Sequence, residues 1–193
     1  MHKGKEFISD YDENKDDIEY WFSIKCEQKY ERFAELLKSK EEETTWANVK
    51  DLYRYDKRLI FNCFKYISFL EEYLRATIVR NSVNKDAKYK ELQKSNLSDL
   101  INPIIELNDQ GIFCYDRSHL ENDLHSVKTL RNFISHNKIV LETDYKSEIT
   151  ALRDLLPSNY TEGFERIISE SSNGLSVSDK WVVSFSSLSR SNP

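Results

Sequence analysis

The chain has 193 residues, of which 32% are charged and 39% apolar, with only four glycines and three prolines. So few breakers favour long helices over turn-rich β architecture, and the length suits one domain with its own core. A net charge of -5 and a pI near 5.5 exclude a protein that holds nucleic acid by general phosphate neutralisation, so any such contact has to be local.

The opening, MHKGKEFISDYDENKDD, lacks the apolar stretch of a leader, and no later run approaches the ~20 apolar residues that span a bilayer, so a soluble cytoplasmic chain is expected. Ile18, Phe22, Cys26, Tyr30, Phe33 and Leu37 recur every three or four residues and predict a first helix. KSKEEETT breaks it, with Thr44 or Thr45 able to cap the next helix. From Trp46 to about Arg80 there is no glycine or proline. Leu52, Leu59, Cys63, Tyr66, Ile67, Leu70, Leu74 and Ile78 form a continuous apolar stripe there, which predicts one long helix.

A weakly periodic helix is expected between Asn81 and Ser95. Asn102 followed by Pro103 predicts a capped start for the next helix, and Gly111 predicts its end. Ser118 and Glu121 fit a capping box for a helix carried by Leu120, Leu124, Val127, Leu130 and Ile134. Asp144 to Leu156 reads as a further helix stopped by Pro157, and YTEGFERIISE as one or two more turns. The serine-rich end, whose one β-like run is WVVSF, reads as a weakly docked tail. The expected organisation is all-α: a helical extension over 1–45, a core over 46–156 and a tail over 157–193.

Within the helix expected to start near Ser118 stands RNFISHN, Arg131 to Asn137. At ~100° per residue Asn132 and His136 lie within ~40° of each other, while Arg131 is ~140° from His136 and close to the apolar side. An unpaired guanidinium there is costly, so Arg131 needs an anionic partner: a phosphate, or a carboxylate such as Glu71 or Glu72 on the long helix. If the partner is a carboxylate, Arg131 is structural and His136 is only a helix-end residue.

VKTLRNFISHNKIV resembles the R-N-x-x-x-H signature of the HEPN superfamily, helical domains named for higher eukaryote and prokaryote nucleotide binding, many of them metal-independent ribonucleases. YDKRLIFNCFKYISFLEEYLRATI is similar to a second stretch of bacterial abortive-infection (Abi-type) members, through Asp56, Arg58, Glu71, Leu74, Arg75 and Ala76. The two stretches occur in the family's order and cover about a quarter of the chain, and Ser135 stands where many relatives have alanine. The resemblance implies a HEPN-like bundle acting as an endoribonuclease toxin in phage defence or growth arrest. It also implies a homodimer with two motifs facing across a two-fold axis, and a cognate antitoxin as a further partner.

The residue chemistry is compatible with that expectation. RNA carries its own nucleophile, the ribose hydroxyl, so cleavage needs proton transfer and charge stabilisation. His136 suits the first, since an ordinary imidazole titrates near ~6.5, and Arg131 suits the second, through paired N–H bonds to phosphate oxygens. Asn132 and Ser135 would support them, with Glu71 holding the arginine. The alternative is a non-catalytic module that binds RNA, nucleotide or protein. No metal or cofactor is expected: Cys26, Cys63 and Cys114 lack zinc-site spacing, and His119 and His125 are six apart. Trp21, Trp46, Tyr66 and Phe69 read as core, and Lys85, Lys88, Lys90 and Lys94 as a solvated helix face or a small phosphate-facing patch.

Overall fold

The computed structural model describes residues 4–185. All regular structure among these residues is helical: α1 Gly4–Phe7, α2 Lys15–Ile24, α3 Glu27–Ser39, α4 Trp46–Arg80, α5 Lys85–Leu92, α6 Leu97–Asp109, α7 Arg117–Ser135, α8 Tyr145–Leu155 and α9 Ser158–Glu170, with single 3-10 turns at Val140–Glu142 and Asp179–Trp181. No helix of the described residues is long and apolar enough to cross a membrane. The chain divides into two compact units. One comprises the residues up to Leu59 with Ser169–Val182; the other comprises Ile60–Ile168 with the described residues from Val183 on.

In the first unit the expected single helix over Ile18 to Leu37 is two, because Lys25 and Cys26 are extended. The reason is aromatic packing. Eight residues of continuous helix would separate Phe22 from Tyr30 by about 12 Å along the axis. The break instead brings their ring centroids to 5.6 Å, and Tyr30 also meets Trp46 at 5.3 Å and Tyr53 at 5.2 Å. Cys26, which fitted the apolar period, is exposed.

Thr45 caps α4, its hydroxyl accepting from the Asn48 amide at 3.3 Å. Trp46 Nε1 and Lys50 Nζ both donate to Asp17 at 2.7 Å, which ties α2 to α4 and holds the Asp17 carboxyl below its ordinary pKa. Trp181 is buried, donating from Nε1 to Glu42 at 2.9 Å and accepting from the Tyr55 hydroxyl through its carbonyl. WVVSF therefore contributes a buried anchor and no strand. α9, at 13 residues, is longer than the one or two turns expected. The tail beyond residue 185 lies outside the described residues.

The second unit contains the RNFISHN segment. α7 packs against α8 and α6, and Leu70, Leu100, Leu124, Leu130, Ile149, Leu152 and Phe164 are fully buried. Two helix starts differ from expectation. α6 begins at an Asn96/Asp99 capping box, leaving Pro103 inside the helix. The amide missing at Pro103 is offset by burial of Leu97, Leu100, Ile101 and Ile104. α7 is capped by Asp116, whose carboxylate accepts from the His119 amide and from the Ser118 hydroxyl, so Ser118 is a helical residue and not the cap.

Three helices end in one way. Glu41, Gly111 and Asn137 each adopt a positive φ. At each, its own amide and the next return to carbonyls of the last turn: Glu41 and Glu42 to Lys38 and Leu37, Gly111 and Ile112 to Asn108 and Leu107, Asn137 and Lys138 to Ile134 and Phe133.

Candidate functional site

The end of α7 is set by Asn137. With φ at 51°, a left-handed value that asparagine tolerates better than most residues, it stops the helix at Ser135 and leaves His136 as the C-cap. Lys138 then folds back over the Phe133 ring, its ammonium 4.9 Å from the centroid. The consequence is a short turn in which Ser135, His136, Asn137 and Lys138 are all exposed. Asn132 is exposed one turn earlier. The bond between Asn132 and His136 is the backbone one, His136 N–H to the Asn132 carbonyl at 3.1 Å, and no amide-to-imidazole bond joins their side chains.

Arg131 lies on the other side of the helix, as its angular position predicts. Its Nε stands 3.6 Å from Glu71 Oε1 on α4, an ion pair beyond hydrogen-bond length, and its side chain is 35% exposed. Glu71 is 14% exposed and accepts a proper hydrogen bond from Arg75 Nη2 at 2.9 Å, one turn further along α4. The same Nη2 donates to the Ser95 carbonyl at 2.8 Å. Arg75 is therefore held by two acceptors, whereas Arg131 has only the longer ion pair and a part-exposed side chain.

Of the residues singled out from the sequence, the structure thus brings together Arg131, Glu71 and Arg75, and places Asn132, Ser135 and His136 on an exposed face at the end of α7. Leu74 is core and Ala76 is exposed. Asp56, fully buried, and Arg58, donating to the Asn173 carbonyl at 2.9 Å, belong to the first unit. His119 and His125 are exposed on α7, and no group of three metal-ligating side chains converges among the described residues. Trp46 and Tyr66 are core as expected, whereas Trp21 and Phe69 are half-buried, and Phe69 stacks on Tyr160 with centroids at 4.0 Å.

The displaced titrations of this unit lie elsewhere. Burial pushes the Glu148 carboxyl up, against the opposing effect of its bond with Thr143, and pushes the Cys63 thiol up, with the Glu148 charge adding to it. Neither belongs to the Arg131 and His136 region. Reading the sequence missed one feature beside it: a groove of about 550 Å³ between α4 and α5, lined by Glu72, Arg75, Val79, Tyr89, Leu92 and Gln93. The exposed aromatic Tyr89 among lysines was its signal. Compared with known proteins, the chain matches no family model, no curated protein and no solved structure.

Proposed function

We propose that the protein is a metal-independent endoribonuclease of the HEPN abortive-infection kind, working as a homodimer in phage defence or growth arrest. One observation supports this above others. Arg131 is held in place by Glu71 without being hydrogen-bonded to it, and His136 stands exposed at the end of the same helix. A guanidinium committed to structure would be expected to make the short bonds that Arg75 makes.

In the proposed reaction the ribose 2′-oxygen attacks the adjacent phosphorus as His136 takes its proton. The bond from phosphorus to the 5′-oxygen breaks, and the leaving oxygen takes a proton from the same histidine of a second copy. The products are a 2′,3′-cyclic phosphate and a 5′-hydroxyl. Arg131 binds the non-bridging oxygens, whose charge grows in the transition state. Within one chain Arg131 and His136 point ~140° apart. A second copy across a two-fold axis supplies the missing convergence, since an isologous contact presents the same helix end twice.

The test is incubation of the purified chain with RNA in EDTA. Fragments ending in cyclic phosphate are expected. Binding of RNA without fragments would favour the second reading, a non-catalytic binding module. That reading draws support from the Arg131–Glu71 pair, which would then be structural.

A further inference from the structure

We propose that the groove between α4 and α5 receives one unpaired base of the RNA strand, and that it selects bases carrying an exocyclic amino group over uracil. The inference rests on RNA being the substrate and extends that reading to specificity.

The groove has the composition a base requires. Its floor is apolar, with Val79 and Leu92, and Tyr89 is 57% exposed, leaving a ring face open to stacking. Its polar groups are few: Glu72, Arg75 and Gln93. The Arg75 guanidinium is fixed by Glu71 and the Ser95 carbonyl, so that wall is rigid. Through Glu71 the wall is also coupled to Arg131, 3.6 Å from the same carboxylate, which places the groove beside the proposed phosphate-binding side chain.

Charge argues for a nucleic-acid strand over other apolar ligands. In a chain of net charge -5, the stretch from Lys85 to Lys94 carries Lys85, Lys88, Lys90 and Lys94 against Asp86 and Glu91. Lys88 is paired with Glu91 at 2.7 Å, while Lys85, Lys90 and Lys94 are exposed. Lys85 is one turn from Tyr89 on the same side of α5, where a phosphate flanking a stacked base would lie. Base selection comes from Glu72, which is exposed on the groove wall and accepts only. It accepts readily from the exocyclic amino group of adenine, cytosine or guanine, whereas uracil offers one ring N–H flanked by two carbonyl oxygens that face the same negative charge.

The experiment uses fluorescein-labelled 2′-O-methyl hexanucleotides of A, C or U. These lack the attacking hydroxyl, so anisotropy reads binding apart from cleavage. The full chain should bind the A and C strands more tightly than the U strand. Tyr89→Ala should weaken binding about tenfold, Tyr89→Phe should keep it, and Glu72→Gln should erase the preference against U. Unchanged binding in Tyr89→Ala, or failure of the parent to bind any strand, overturns the groove.

Cleavage of unmodified RNA by the same variants separates the two claims. His136-dependent cleavage with a silent Tyr89→Ala removes the groove and leaves the ribonuclease. Tyr89-dependent binding with no cleavage does the reverse.

Discussion

Arg131 reaches Glu71 at 3.6 Å, whereas Arg75 reaches the same carboxylate at 2.9 Å, so one acid serves two arginines unequally. The inequality separates structure from function. Arg75→Ala removes a mostly buried charge-assisted bond and should cost about 1.5–3 kcal/mol. Arg131→Ala removes a longer, part-exposed pair and should cost under about 1 kcal/mol. RNA cleavage should follow the opposite order at Arg131, falling about 10²–10³-fold there. Denaturant melts and initial rates on the two variants check both halves.

Glu148 yields a pH prediction. It is 7% exposed, and its Oε2 lies 2.9 Å from the Thr143 hydroxyl, which is also 2.9 Å from the Val140 carbonyl. A hydroxyl has one proton for these two acceptors. A protonated Glu148 resolves the conflict by donating to Thr143 while Thr143 donates to Val140. Since the folded pKa is raised above the ordinary 4.5, the native state holds this proton more tightly than the unfolded chain. The contribution is fully present below 4.5 and is lost as pH rises through the folded value. Glu148→Gln, which donates at any pH, should match or exceed the parent Tm at about pH 7.5 and flatten its decline from about pH 5. A lower Tm with an unchanged slope would refute this.

The thiols should react in two classes. Cys26 and Cys114 are exposed and Cys63 is buried with its pKa pushed up, so a thiol reagent should label two cysteines in the native chain and the third only on unfolding.

Trp181 tests the docking of the tail. It is 1% exposed and hydrogen-bonded through both its indole and its carbonyl. Trp181→Ala should cost about 3–5 kcal/mol by chemical denaturation, where a loosely attached tail would register almost nothing.

How far these features could be read from the sequence depended on whether one local signal decided them. α4 was legible to its ends because an unbroken apolar stripe had no competing breaker. The Lys25–Cys26 break was hidden because Cys26 falls in phase with Phe22 and Tyr30, and only the ring contacts of the folded unit explain it. The caps at Asn96 and Asp116 were missed where Asn102, Ser118 and Pro103 offered equally good motifs in competing registers.

At the site, the facing of Arg131 toward Glu71 was readable from helical angles. The length of that pair, 3.6 Å from Nε to the oxygen that Arg75 does not bond, was not, because helical angles give facing and not distance. The exposed end at His136 depends on the backbone of Asn137, a residue that gives no apolar period to read.

The central claim is that His136 moves the proton. Its most direct test is the single-turnover rate of RNA cleavage in EDTA by parent and His136→Ala, with both shown to be equally folded by their melts. His136 is exposed at a helix end, so the substitution should leave Tm within a few degrees. The account predicts cleavage in the parent, with cyclic phosphate ends, and a loss of at least about 10²-fold in the variant. Cleavage by His136→Ala at the parental rate would contradict it.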